Sequence, residues 1–294
     1  MIKRVVSIGN PAYVSTHLNQ LIVKHEGEEV GRVPIEDIGL FMIEDAQVTI
    51  SMRTLALCAE NEVAVVVCDS YHMPAGLMLP FSGHNVQTAI LHQQIAASDP
   101  AKKKTWQRIV QAKIASQARV LDQVGKLDSR TLLKLIPMVR SGDPDNVEAR
   151  AATRYFDSLF GDEFTRDREA PGLNAMLNYG YTVLRACVAR AVVGAGLHPA
   201  LGVFHKNQYN PFCLVDDAME PLRPLVDKWV FEYQRENPTP ENLTPSLKRY
   251  LLKVTERTVF FDKKPYPLFV ALERYAASLR RALCEKEPLI CPTL

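Results

Sequence analysis

Apolar residues over the first 83 positions come in short runs, RVVSIG, AYVSTHL, QLIVKH, IGLFMI and VAVVVCD, several of them bounded by Gly, Asn or Asp. Runs of this length, rich in β-branched residues and punctuated by turn formers, predict strands. The stretch LIVKHEGEEVGRV reads as a hairpin. One helix interrupts, SMRTLALCAEN, with Ser51 as its N-cap, ahead of the strand VAVVV.

After PFSGHN the apolar period changes to about 3.6 and stays there. Helices are predicted for HNVQTAILHQQIAAS, KKTWQRIVQAKIASQARVLDQV, NVEARAATRYFDSLFG, LNAMLNYGYTVLRACVARAVVGAG and YPLFVALERYAASLRRAL. Gly161 closes one of these, and Gly194 and Gly196 followed by Pro199 close another. ENPTPENLTPS, with three prolines, is a surface loop. The expected fold class is therefore α+β: a small β-rich N-terminal domain over residues 1–83, then a larger, nearly all-α domain over residues 84–294.

Two helices carry polar residues where their apolar faces leave no obvious place for them. Around Trp106, a turn of about 100° per residue puts Ile109, Val110, Ile114, Val120 and Leu121 on one broad face, with Lys113 and Gln117 in its middle. A lysine there needs a carboxylate or a ligand phosphate, or else must snorkel to solvent. The opposite face bears Lys104, Arg108, Arg119 and Lys126, a basic stripe. In LNAMLNYGYTVLRAC, Asn174, Asn178, Tyr181 and Arg185 recur at steps of four, three and four; such a stripe lines a cavity or meets solvent.

The densest candidate chemistry is GVFHKNQYNPFCLVDDAMEP, where His205 is followed by Asp216, Asp217 and Glu220. A helix starting near Ala218 would carry Ala218, Leu222, Leu225, Val226, Trp229, Val230 and Tyr233 on its apolar side, with Asp216, Glu220, Arg223 and Asp227 opposite. Pro221 suits a first turn, while Pro224 would cost a backbone hydrogen bond. Two readings fit the acids. Asp217 and its neighbours cap the helix start, or they join an imidazole in a metal site. The second reading needs another ligand, for which Glu148 in GDPDNVEARAATRYF is the candidate. Glu148 also has a structural reading, because Asp145 stands three residues before it at capping-box spacing. One imidazole with two carboxylates is a donor set for Mg²⁺ or Mn²⁺, ions suited to phosphate chemistry.

Composition narrows the setting more than the function. At 294 residues, 47% hydrophobic and 23% charged, the chain is an ordinary globular sequence long enough for a substantial core. No signal-peptide core and no run of about 18 uncharged apolar residues occurs, so a cytoplasmic protein without a membrane span is expected. The six cysteines show no C-x-x-C spacing and read as small core residues. Net charge is only +2, but it is divided: residues 1–83 hold 5 Lys or Arg against 10 Asp or Glu, and the remainder 30 against 23. Any polyanion is therefore expected on the second domain.

WQRIVQAKIASQARVL, SGDPDNVEARAATRYFDSLFG, LNYGYTVLRACVARAVVGAGLHPALGVFH and FCLVDDAMEPLRPLVD, in this order, resemble the CRISPR-associated integrase family, the first-numbered protein of the spacer-acquisition machinery. The wording NQYNPFCLVDDAMEP is most similar to members from type II systems. The resemblance runs from about residue 84 to residue 280 and implies a metal-dependent DNA integrase and endonuclease. Its metal ligands and catalytic residues match Glu148, His205 and Glu220, leaving Asp216 and Asp217 to orient ligands or cap the helix. The implied reaction is transesterification, in which the 3′-hydroxyl of a captured DNA fragment attacks a phosphodiester of the CRISPR array, in antiviral defence. The implied partners are double-stranded DNA, a small ferredoxin-like adaptation protein, a second copy of the chain joined through the β-rich domain, and other type II CRISPR proteins. Lys102, Lys103, Lys104, Arg108, Lys248, Arg249, Lys253, Lys263 and Lys264 are the candidate phosphate contacts. Two other readings use the same residues: a structure-specific endonuclease acting through water, and a non-catalytic DNA-binding scaffold whose carboxylates merely cap helices.

Overall fold

A computed structural model describes residues 3–69 and 73–294. The first part is built from β1 (Arg4–Ile8), β2 (Tyr13–His17), β3 (Gln20–His25), β4 (Glu28–Pro34), β5 (Ile38–Ile43), β6 (Thr49–Ile50), α1 (Met52–Glu60), β7 (Ala64–Cys68) and β8 (Pro74–Met78). They form two four-stranded sheets, β1-β5-β7-β8 and β4-β3-β2-β6. The expected hairpin is β3–β4, turned by Glu26 and Gly27, both at positive φ (50° and 88°). Such two-residue turns match the twist of the strands they join. Ser51 caps α1 as expected, its hydroxyl accepting from the Thr54 N–H.

β5 divides two cores. All six of its residues are buried, and the two-residue alternation of a strand sends them to different sides. Leu40 and Met42, with Ala64 and Val66 of β7, join the large core of the helical part. Phe41 and Ile43, with Val65, join Val14 and Leu21 in a smaller core. The first sheet is thus covered on both faces, and the β-rich part is welded to the helices through it.

Nine helices follow among the described residues: α2 (Gln87–Ile95), α3 (Asp99–Gln123), α4 (Ser129–Leu135), α5 (Val147–Phe160), α6 (Leu173–Gly194), α7 (Cys213–Met219), α8 (Arg223–Glu236), α9 (Pro245–Leu252) and α10 (Leu268–Cys284). α6 is buried along most of its length, as expected of a helix that is apolar nearly all round. It packs on α7, α8, α9 and α10, while α3 packs on α4, α5 and α8. The α+β reading holds, with one addition: β9 (Thr258–Phe261) and β10 (Lys264–Pro267) form a hairpin within the helical part. Its strands have only four residues each, too few for periodicity to reveal. No helix among the described residues is long and apolar enough to cross a membrane.

The segment after His205 departs from the single helix expected near Ala218. α7 begins at Cys213, a 3-10 turn covers Glu220–Leu222, and α8 restarts at Arg223 with Pro224 in its first turn. Both prolines thus sit where a missing N–H costs nothing. Two of the acids expected opposite the apolar stripe, Glu220 and Asp227, are buried, at 6% and 1% exposed.

α6 and α8 meet at Gly180, where an added Cβ would lie 2.5 Å from Val226 Cγ1. A valine has little freedom to retreat, so Gly180→Ala is expected to overpack the contact by about 1–3 kcal/mol. A lowered urea midpoint with an unchanged m-value is the expected outcome.

Candidate active site

The candidate ligands reach their places by different means. Glu148 lies in the first turn of α5, preceded by a tight stretch in which Gly142, Asp143 and Asn146 all take positive φ. The Asp143 carboxylate accepts the N–H groups of Val147 and Glu148, each at 3.0 Å. Asp143 therefore does the capping work that spacing had suggested for Asp145. Asp145 instead forms a two-pronged ion pair with Arg140 on the surface.

Glu148 and Glu220 converge on Lys113, which extends from the buried face of α3. Its ammonium bonds Glu148 Oε1 and lies 2.5 Å from Glu220 Oε2. Arg223 Nε donates to the other Glu220 oxygen at 2.8 Å. The partner of the buried Glu220 oxygen, Oε2, is the Lys113 ammonium. Burial alone would raise the Glu220 pKa, yet Arg223 and Lys113 overcome it and hold the carboxyl down at about 2. Lys113 is the converse. Desolvation alone would lower its pKa, and Glu220 and Glu148 raise it above the ordinary value.

His205 is held by a separate device. Asp217 is fully buried and accepts the backbone N–H groups of Val203 at 2.7 Å, Phe204 at 2.9 Å and His205 at 3.3 Å. Its Oδ1 also meets His205 Nδ1 at 2.5 Å. The loop after α6 is thus wrapped around one carboxylate, and Gly202 permits it: a Cβ there would lie 2.4 Å from the His205 carbonyl oxygen. The Asp217 hydrogen bond raises the His205 pKa, with burial opposing and Glu220 adding to the rise. Neither aspartate acts as an N-cap of α7, because the helix begins before both of them at Cys213. Asp216 instead pairs with Arg185 Nε and Nη2 at 2.7 and 2.9 Å.

So Glu148 and Glu220 are brought together, while His205 stands on the Asp217 side and senses Glu220 electrostatically. Among the described residues no three His, Cys, Asp or Glu side chains form a ready metal cluster. The donors nevertheless fit a divalent cation in their chemistry. Two carboxylates already meet at one positive charge, and Asp217 engages His205 Nδ1 so that Nε2 is left to ligate.

Behind Glu220 lies a cavity of about 210 Å³ lined by Lys113, Gln117, Arg166, Tyr181, Arg223 and Asp227, among others. The polar stripe of α6 belongs to this network: Arg166 donates to Asn174 at 2.7 Å and to Asn178, and Tyr181 donates to Asp227. Desolvation pushes the Asp227 pKa up to about 7, despite the lowering influence of Tyr181, Tyr155 and Arg223. The Tyr155 hydroxyl is buried beside it. Arg166 was not visible as a site residue in the sequence; its segment has no periodicity to place it.

The basic candidates are dispersed. Lys103, Lys104 and Arg108 are exposed on α3, Arg249 and Lys253 on and just after α9, and Lys263 and Lys264 at the β9–β10 turn. Lys102 is half-buried and lines a cavity with His205. Lys248 differs from the rest: it is buried, with its ammonium 5.6 Å from the Tyr179 ring centroid.

Similarity to known proteins agrees with the motifs. The sequence profile of the family described as "CRISPR associated protein Cas1" matches residues 5–263. A CRISPR-associated endonuclease Cas1 of Neisseria meningitidis serogroup C (strain 8013) is 38% identical over 284 residues, covering 96% of this chain and 93% of that protein. A CRISPR-associated endonuclease Cas1 of Pyrobaculum aerophilum is 28% identical over 276 residues, covering 88% and 92%. Among solved structures, a casposase bound to integration product superposes with a TM-score of 0.79 at 19% identity, over 99% of this chain and 93% of that one. A CAS1 protein from Thermotoga maritima gives 0.77 at 16% identity, over 98% and 99%. The last two share the fold.

Removing Lys113 strands two carboxylates. Lys113→Met is expected to cost about 3–5 kcal/mol of unfolding free energy at pH 7. The triple change with Glu148→Gln and Glu220→Gln should recover much of it in a denaturation cycle. Asp227 gives a pH signature. Its folded pKa of about 7 lies above an unfolded value of about 3.9, so its contribution is complete below pH ~4 and lost as pH rises through 7. The loss is about 4 kcal/mol in order of magnitude. Asp227→Asn should flatten this decline between pH 5 and 8, read from urea midpoints across the range.

Proposed function

The chain belongs to the family of CRISPR-associated Cas1 proteins, and from that premise we propose that it is a metal-dependent DNA integrase and endonuclease of spacer acquisition. It joins the 3′-hydroxyl of a captured DNA fragment to a phosphodiester of the CRISPR array. The observation that carries the reading is the meeting of Glu148 and Glu220, from distant parts of the chain, at the buried Lys113.

Glu148, Glu220 and His205 would hold Mg²⁺ or Mn²⁺. When bound, such an ion offsets charge on the phosphodiester and lowers the pKa of the attacking hydroxyl. The protein's own groups prepare for this. Lys113 and Arg223 keep Glu220 ionised far below neutral pH, and Asp217 fixes the imidazole and its loop. Lys113 and Arg223 also present cations where negative charge builds on phosphorus. In the exchange a new 3′-oxygen–phosphorus bond forms, the target's phosphorus–oxygen bond breaks, and the released 3′-oxygen takes up a proton. The number of phosphodiesters is conserved, so no nucleotide cofactor is consumed in the step.

Exposed Lys103, Lys104, Arg108, Arg249, Lys253, Lys263 and Lys264, with Lys102 beside His205, are the proposed phosphate contacts for double-stranded DNA, and binding should weaken with salt. A homodimer formed through the β-rich part, a small ferredoxin-like adaptation protein and other type II CRISPR proteins complete the proposed assembly in the cytoplasm.

The test combines the purified chain and its small partner with short duplexes bearing free 3′-hydroxyls, a supercoiled array target and Mn²⁺. Covalently joined product is expected from the wild type and none from Glu148→Ala or His205→Ala. Asp217→Asn should lower the joining rate by about 10–100-fold. Undiminished joining in the alanine variants would overturn the assignment, and cleavage without joining would favour the hydrolytic endonuclease.

A further inference from the structure

The loop that Asp217 wraps also carries an aromatic feature that the chemistry above does not use. Phe204 is 47% exposed, yet its backbone N–H is pinned by Asp217. Its ring lies flat on Trp106, with centroids 4.3 Å apart and planes 3° from parallel. Trp106 is itself buried at 1% exposure in α3. One face of Phe204 is therefore supported from below and the other is open. His205 stands edge-on beside both rings, at 5.3 and 5.8 Å between centroids.

A ring fixed in this way is a stacking surface whose ordering cost has been met by the fold. Its surroundings specify the charge of what stacks there. A neighbouring cavity of about 430 Å³ is lined by His205, Lys102, Lys206, Asn207 and Gln208 among others, with no acidic side chain among its described lining residues. Tyr209, 84% exposed, adds a second aromatic on the same loop. Aromatic faces beside a cationic groove are the combination that holds single-stranded nucleic acid. A single benzene ring matches one base and not a base pair.

We propose that the Trp106–Phe204 stack is a base-binding platform: one unpaired nucleobase, at the DNA end delivered to the site, stacks on the open face of Phe204 while its phosphates run along Lys102 and Lys206. This rests on the integrase reading for the presence of DNA, and what it adds is the assignment of Phe204 as the residue that receives the terminal base. Phe204 is a binding residue in this scheme and takes no part in bond exchange.

The experiment uses the full chain in EDTA, so that binding is read without catalysis, and short duplexes carrying 2-aminopurine as an unpaired 3′-terminal base. Quenching of the probe on binding is expected with the wild type and with Phe204→Trp. Phe204→Ala and Phe204→Leu should lose the quench and bind about tenfold more weakly. Leucine retains an apolar contact with Trp106, so an unchanged melting temperature in that variant separates stacking from loop damage. The same DNA with its end fully paired should show less than a twofold difference between wild type and variants. Equal binding and quenching in Phe204→Leu, or an equal loss with paired ends, would overturn the platform. Phe204-dependent quenching by a wild-type protein that joins no ends would support the platform and overturn only the integrase assignment.

Discussion

A single buried ammonium ties the fold to its candidate chemistry. Lys113 comes from the apolar face of α3, where burial without a counter-charge would be prohibitive. It is tolerable because Glu148 at the head of α5 and Glu220 in the turn before α8 meet it there. Three elements are thereby held in register by one charge. In stability alone such a cluster gains little over well-packed apolar side chains. Its burial is better understood if the carboxylates have a use, and the use they suit is to hold a divalent ion.

Much of this was legible in the chain, for a physical reason. The period of about 3.6 in the second part and the alternation in the first follow from burial on one face, and the helices and the β3–β4 hairpin appeared where those patterns placed them. Lys113 was conspicuous as a cation in an apolar face, and its need for a carboxylate was met. What periodicity could not show were contacts made by loops. Asp143, rather than Asp145, caps α5 because a left-handed stretch brings its carboxylate back onto the N–H groups of Val147 and Glu148. Glu220 and Asp227 turned inward because the helix carrying them breaks at a 3-10 turn, which resets the faces after it.

Asp217 illustrates the same limit from the other side. In sequence it was one of three acids near a helix start, and capping was a fair reading. In the fold it does act on backbone N–H groups, but on those of Val203, Phe204 and His205 in a distant loop. The role was of the right kind and the location was set by tertiary structure. The shared fold of the casposase and the Thermotoga protein places the helices; the use of each carboxylate has to be argued from its own neighbours.

Two carboxyls seven residues apart show how far those neighbours decide chemistry. Glu220 faces Lys113 and Arg223 within ion-pair reach, and its pKa falls to about 2. Asp227, just as buried, is pushed up to about 7 by desolvation, which the hydrogen bond from Tyr181 offsets only in part. Environments that drive neighbouring acids in opposite directions divide their tasks. Glu220 stays charged far below neutral pH, while Asp227 near neutrality can carry its proton. The cavity they share with Lys113, Arg166, Arg168 and Arg223 therefore keeps an excess of cations even with both acids buried in it. That balance favours an anionic group, and it leaves Glu220 fully ionised beside it. The two acids part ways because Glu220 has cations within ion-pair reach to outweigh its desolvation, whereas for Asp227 desolvation prevails.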